Sequence, residues 1–530
     1  MKFNELTPEE ITQAKQIYIN KDLSWDERMK QLMDFFGKSE RTVRKWCSEK
    51  LGFKEKQDIE CEQYEAAKKR KVDKSKKRFI ITWAQNNTEV HDDFLKNIKA
   101  YAKHIDAAIH VIAGRYKNPT SLNEENDEDY WAQDLQPYLD ANRHNIHKYL
   151  SLMSDVKIHP TATNPMSGLQ GMSGINSCIF GSPKVQMEAI PVLSGNEPKT
   201  MYTTGAVTKI NYTDSKSGKK GEFHHTLGFI VVEIKNNQQQ PFIRQVTAND
   251  DTGSFSDLIY RVESGKVKQL KSISAIVFGD MHYGHHDQKV LDKTFEMLNI
   301  LKPEHVILHD VFDGSSISHH EMKDPFMQYA KEMDNSNSVE KEINEMLEGL
   351  KSFQKFKNVV IVRSNHDDFL DRWLKNEDWK KQPTSKNSLA YMEYSSILLK
   401  QYAKDRYDVK GVIPELINQK FPKYITLGRN DSYKVNSWEL GQHGDVGSNG
   451  SRGSLVQFRR LNTKIVVGHY HTPGRKDGAL AVGTSTNLRV GYNSGPSSWS
   501  QSHVIIHEDG KAQHINFISG EYTTLTDLKK

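Results

Sequence analysis

One theme limits what the second half of this chain can fold into. An apolar strand that stops abruptly at Asp, Asn or His recurs five times beyond Lys271. SAIVFGD runs into Asp280 and His282, HVILHD into Asp310 with Asp313 just beyond, and NVVIVRSNHD into Asn365, His366 and Asp367. SWELGQHGD supplies His443, and TKIVVGHYH supplies His469 and His471. Helical patterns at 286–301, 321–356 and 386–404 separate these strands, which predicts an α/β fold. Open α/β sheets place their sites at the carboxyl ends of strands, so all five tips are expected in one crevice. Residues i and i+2 leave an extended strand on the same side, so Asp280 with His282, and His469 with His471, each predict two donors from one strand end. Imidazole and carboxylate donors without thiolate suit Mn, Fe, Zn or similar ions. Seven donors (Asp280, His282, Asp310, Asn365, His443, His469, His471) exceed what one ion needs and suit two ions sharing a carboxylate.

The 530 residues allow two to four domains and ample core for an enzyme. No stretch approaches eighteen consecutive apolar residues, and the N-terminal MKFNELTPEE carries acids where a signal peptide needs an apolar run, so no membrane partner is expected. Cys47, Cys61 and Cys178 are too few and too scattered for a disulfide framework or a C-x-x-C zinc site, which fits a cytoplasmic setting. The whole net charge of +5 falls in residues 1–78, and the remainder sums to zero. Residues 1–53 read as a helix-turn-helix-like unit: two amphipathic segments, a stop at Gly37, then RTVRKWCSEKL. In that third segment Val43, Trp46 and Leu51 would pack, while Arg41, Arg44 and Lys45 would face DNA phosphates or base edges. An ordinary three-helix bundle with a charged surface has the same pattern. Residues 54–78 are expected as a basic linker, because KKRKVDKSKKR is too dense in charge to pack. Residues 79–265 read as an α/β accessory domain of unknown role, with SKSGKKGEFHH as an exposed connection; Lys184, His224 and His225 belong to it. The catalytic domain is expected over 272–530.

The five strand tips carry a specific likeness. Gly279-Asp280-Met281-His282, Asp310 through Asp313, Asn365-His366-Asp367, His443-Gly444 and Gly468-His469-Tyr470-His471 reproduce, in order, the five motif blocks of the calcineurin-like metallophosphoesterase superfamily, which residues 272–490 resemble. The resemblance implies a β-sandwich flanked by helices. It also implies two divalent ions, Mn2+ first, with Fe2+, Mg2+ or Zn2+ as options. Asp280, His282, Asp310 and His471 would hold one ion, and Asp310, Asn365, His443 and His469 the other. The implied reaction is attack of a metal-bridging hydroxide on phosphorus, with His366 serving the leaving oxygen and Asp313 orienting its imidazole.

Three positions depart from the family: Gly314 stands where it has Arg, and His309 and Ser364 stand where it has glycines. Loss of a phosphate-binding cation disfavours monoesters and points toward diesters, as in SbcD-type DNA nucleases. Arg363 is a candidate replacement charge, although a salt-bridged surface arginine is the expected account of it, and Arg452, Arg459, Arg460 and Arg475 are candidates for a polyanion groove or else solvated arginines on a helix and turn. His285, His286, His319 and His320 lie near the first two blocks and are expected behind the ligands or on the surface. The overall arrangement resembles bacteriophage metallophosphoesterases of the DNA-degrading exonuclease type. The expected protein is therefore a phage-encoded, metal-dependent DNase in the host cytoplasm, with a homo-oligomer or a host protein partner as further options. A phosphatase of proteins or nucleotides on the same scaffold, and a DNA-binding regulator with an inert phosphoesterase domain, are the alternatives.

Overall fold

The computed structural model describes residues 6–20, 23–47, 51, 62–116, 130–235, 240–381, 385–491 and 493–525. It is a mixed α/β protein, and two sheets frame the strand tips. The first sheet runs in the order Ile425–Thr426, Asn358–Val362, His305–His309, Ala275–Val277, Ser502–Ile506, Ala512–Asn516, with its first four strands parallel. Its strands alternate by pleat. Val306 and Leu308 turn toward the helices Gln288–Leu301 and Val339–Leu350, where they meet Leu298, Ile343 and Met346. Ile307 and Val360 turn the other way and share a core with Leu440, Val466, Leu480 and Val482 of the second sheet's side.

The second sheet has ten strands, and its order spans the expected domain division. Lys434–Val435, Trp438–Glu439, Lys464–Val467, Ala479–Ala481 and Gly474–Lys476 continue directly into Gln186–Ile190, Lys199–Thr203, Ser177–Phe180, Leu150–Met153 and Arg143–His147. Gly474, Arg475 and Lys476 pair antiparallel with Glu188, Met187 and Gln186, so one hydrogen-bonded ladder crosses the boundary placed at 265–272. One sheet thus joins residues 79–265 to the C-terminal half. They also hold a five-stranded sheet built on Arg78–Gln85 and Ala107–Gly114, joined through the helix Asp92–His104 as their patterning suggested. SKSGKKGEFHH is corrected from loop to helix: Lys216–His224 is capped by the Ser215 hydroxyl and buries Gly218 and Gly221, where only a glycine clears Thr213 and Tyr212.

At the N-terminus three helices, Pro8–Ile19, Trp25–Phe36 and Glu40–Lys45, enclose their own core of Leu32, Phe36, Val43 and Trp46. Capping boxes at Thr7 and Ser24 and a left-handed Gly37 set their ends. Arg41, Arg44 and Lys45 are exposed, with Arg44 paired to Glu40 at 2.7 Å. Of the expected linker, residues 54–61, and with them Cys61, lie outside the described residues. The rest is corrected: Glu62–Lys68 is helical, Arg70 is bonded to the carbonyl of Ile109, and Val72 packs on the core around Trp83. Charge density did not prevent packing because long basic side chains bury their stems while their heads find carbonyls. The pattern at 321–356 resolves into two helices, Pro325–Met333 and Val339–Leu350, restarted at Asp324 and Ser338 caps.

Candidate metal centre

The tips meet, but across two facing sheets. Asp280, Asp310 and Asn365 follow the strands Ala275–Val277, His305–His309 and Asn358–Val362 of the first sheet, whereas His443 and His469 follow Trp438–Glu439 and Lys464–Val467 of the second. Nor is the backbone extended where the donors leave it. His282, Asp310, His469 and His471 have φ of 40°, 49°, 73° and 53°, a left-handed conformation that costs a residue with a side chain about 1–2 kcal/mol. Such strain persists only where the surroundings impose it, and it gathers at functional sites. The expected pairs do converge, through sharp turns and not through the pleat.

Asp280, His282, Asp310 and His471 are all buried, and one donor atom from each lies within 4.8 Å of all the others. His471 Nε2 is 3.1 Å from Asp280 Oδ2 and 3.0 Å from His282 Nε2. Asp310 Oδ2 stands between His282 Nε2 at 3.4 Å and His443 Nε2 at 3.2 Å. Beyond it, Asn365 Oδ1 lies 3.2 Å from His443 Nε2 and 3.1 Å from His469 Nδ1. All seven expected donors therefore form one connected group hinged on Asp310. Glycine is needed where the group is tightest: a Cβ at Gly468 would lie 2.3 Å from Asp280 Oδ1, and one at Gly279 would lie 2.7 Å from the Ser502 carbonyl.

Burial disfavours the charge on Asp310, but His443, His366 and His282 outweigh it and hold this carboxyl well below the usual range. Against the same burial, Asp310 pushes His282 and His443 up to about 9. Burial dominates at His469 and His471 and lowers both. Oδ1 of Asp280 and Oδ1 of Asp310 are buried with no hydrogen-bond donor among the described residues. Two anionic oxygens left in this way inside a group of imidazoles fit a divalent cation, since buried polar atoms are otherwise satisfied.

Asp313 requires a correction. Its carboxylate does not orient His366: Oδ1 lies 2.9 Å from His282 Nδ1 and Oδ2 3.5 Å from His285 Nε2. The Nδ1–H of His366 instead donates to the Asp313 backbone carbonyl. Asp313 thus fixes the ring of one of the expected donors, the position that carboxylates take behind metal-bound histidines. His309 is fully buried against Gly468, 3.4 Å from His443 Nδ1, and is pushed down to about 4 by burial. The Ser364 amide donates to the Asp367 carboxylate at 2.9 Å, and the Asp367 amide to the Ser364 hydroxyl at 3.2 Å.

Arg363 is spent on Asp368 and Asp371 at 2.7 and 2.9 Å, buried where a surface ion pair was expected. Arg475 is likewise buried, so the expected groove loses a member. Arg452 and Arg460 are exposed, and Arg459 reaches Asp477 at 3.3 Å. Asp477 also collects Lys184 at 2.9 Å and His224 at 3.4 Å, while His225 is held by the Tyr212 hydroxyl. The bonds these groups make are to one another and not to the donor group. Sequence reading missed Arg429, which bonds Asp445 at 2.8 Å and Asp368 at 2.5 Å, so that it ties the loop after His443 to the helix after Asn365. No spacing signal marks such a residue. Beside His366 a cavity of 470 Å³ opens, lined by Ser315, Ser318, His320, Glu321 and Phe369.

Fold and site thus define a mixed α/β protein with a buried Asp/His cluster able to bind a metal ion. The chain is 30% identical over 472 residues to Protein A1 of Escherichia phage T5, an alignment covering 85% of this chain and 83% of that protein, and it belongs to the family of that phage protein. No protein-family model matches it, and no solved structure does. No helix among the described residues is long and apolar enough to cross a membrane.

Proposed function

We propose that this protein is a two-metal phosphodiesterase of the calcineurin-like kind that hydrolyses DNA in the phage-infected cell. The observation that carries this reading is the single oxygen of Asp310 shared between His282 and His443, with two further donors on each side. Divalent ions held by these seven residues, Mn2+ first among them, would acidify a water and offset the charge growing on phosphorus.

The chain's own groups supply the rest. His366, with its Nδ1–H committed to the Asp313 carbonyl, leaves Nε2 as the atom to serve the departing oxygen, beside the 470 Å³ cavity that would take the substrate. Asp313 keeps His282 from rotating. Gly314 supports a diester: its φ of 71° and the approach of Phe312 and Phe369 to within 3.1 and 3.2 Å of a Cβ exclude the family's arginine. With Arg363 engaged elsewhere, a dianionic monoester loses more than a singly charged diester. Arg41, Arg44 and Lys45 on the outer face of the N-terminal unit would add salt-sensitive affinity for the DNA backbone.

The test is purified protein with manganese, offered linear DNA and, separately, p-nitrophenyl phosphate. The DNA should shorten while the monoester is spared, and Asp310→Ala should lower the DNA rate by about 10³-fold or more. Intact DNA with a hydrolysed monoester would make the protein a phosphatase; bound but uncut DNA would make it a regulator.

A further inference from the structure

The helix Asp367–Asn376 sends Leu370 and Leu374 into the core, but Phe369, on another face, lines the cavity beside His366. The Phe369 ring lies 4.6 Å from that of His366 at an interplanar angle of 33°, and 5.1 Å from that of His319 at 79°. His319 in turn lies 3.9 Å from His320, which lines the same cavity. Four rings thus make one continuous shelf. It starts at the imidazole beside the donor group and ends at two exposed histidines. Arg372, one turn on from Phe369, stands 5.7 Å over its ring and donates from Nη1 to His319 Nε2 at 3.0 Å. Gly314 makes room for the shelf, since a Cβ there would come within 3.2 Å of Phe369 Cδ2.

Core burial does not explain these rings, because Phe369 is only half-buried and His319 and His320 are exposed. Aromatic faces at a site for phosphodiesters suit a planar heterocycle, which stacks on them whatever its sequence. The volume limits the occupant: 470 Å³ lies toward the low end of the roughly 300–1,000 Å³ of small-ligand sites, room for one nucleoside and too little for a base pair with its strands. The acids of the wall are already engaged, Asp313 by His282 and Glu321 by Lys331, while Arg372 adds a cation close by for a neighbouring phosphate. We propose that Phe369, with His319 and His320, forms a subsite that stacks the nucleobase next to the scissile phosphate, on the side of the leaving oxygen. The subsite rests on the phosphodiesterase reading above and narrows its substrate to an unpaired nucleotide, in a single strand or a frayed end.

A trinucleotide carrying 2-aminopurine and hydrolysis-resistant phosphorothioate linkages, titrated with the manganese-loaded protein, reads stacking without cleavage. Its fluorescence should be quenched on binding, and a trimer of the same backbone without bases should bind about 10-fold more weakly or worse. Phe369→Ala should lose the quenching and bind the two trimers alike. Phe369→Trp should restore both readings, and manganese uptake by calorimetry should match the wild type in each variant, which damage to the donor group would not allow. Quenching that survives in Phe369→Ala, or a base-free trimer held by the wild type as tightly as the base-bearing one, would overturn the subsite. Cleavage separates this result from the reading beneath it. Single strands with and without bases hydrolysed at equal KM would remove the subsite and keep the nuclease, whereas base-dependent quenching with no hydrolysis of any DNA would remove the nuclease and keep a base-stacking site.

Discussion

Two of the clusters of buried charge among the described residues are finished to different degrees. Around Arg244 both carboxylates are saturated. Asp257 binds Arg244 twice at 2.9 Å and also receives Tyr101 at 2.6 Å and Gln513 at 2.9 Å. Glu233 takes Arg244 at 2.5 Å together with the hydroxyls of Thr523 and Thr524. Around Asp310 the carboxylates crowd together, yet several of their oxygens, Oδ1 of Asp280 and Oδ1 of Asp310 among them, have no hydrogen-bond donor among the described residues. The first cluster closes on itself and fastens residues 79–265 to the C-terminal strands. The second is left open where a cation could bind. Buried charge that is fully paired holds a structure together, whereas buried charge left open at one point marks a binding site.

The sharpest way to break this contrast is to remove one acid from each cluster. Asp257→Ala strands the Arg244 guanidinium in the interior and should cost about 3–5 kcal/mol of stability, read from denaturant midpoints. Asp280→Asn relieves carboxylate crowding and should leave the metal-free protein within about 1 kcal/mol of the wild type. Equal losses in the two variants would erase the distinction.

Acid tests the satisfied interior separately. Burial pushes His225 and His514 down to about 4, and each is bonded while neutral: His225 by Tyr212 and the Thr208 carbonyl, His514 by the Ala481 carbonyl. In the unfolded chain such groups titrate near 6.5, so between pH 6.5 and 4 the unfolded state binds the extra proton. Stability from the neutral rings is therefore intact above about 6.5 and falls as pH drops toward 4, by up to about 3 kcal/mol for each histidine. Melting temperatures from pH 7.5 to 5, with and without His225→Gln, measure it.

The open cluster should gain what the closed one already has. Manganese at 100 times its dissociation constant should stabilise the wild type by about 2.7 kcal/mol, and Asp280→Asn should abolish the shift. Gly468→Ala, which drives a methyl against Asp280 and His309, should weaken manganese uptake about 10- to 100-fold by calorimetry while the fold survives. Smallest of all, Arg44→Ala should change stability by less than about 0.5 kcal/mol and lower the salt dependence of DNA binding by about one ion.

The donors were legible because each strand tip is local: an apolar run buried on both faces, a tight turn, and a side chain that pays for neither burial nor turn unless it has a use. Asp280, His282, Asp310, Asn365, His443, His469 and His471 could all be read from runs of ten residues or fewer. Asp313 was legible as a member of the group but not in its role. Choosing between His366 and His282 as its partner depends on side-chain directions that no spacing encodes. Arg429, His309 and the Asp477 cluster had no local signal at all.

Sequence alone thus determined the strand tips, the helices between them and the residue types of the centre, since these follow from periodicity and turns over short spans. Only the tertiary structure decided that two sheets share the centre, that one ladder runs from Arg143 to Val435 across the expected boundary, and that Lys184 and Arg475 are buried. Those outcomes depend on pairing between segments hundreds of residues apart, where register and facing are fixed by packing and by which buried charges find partners.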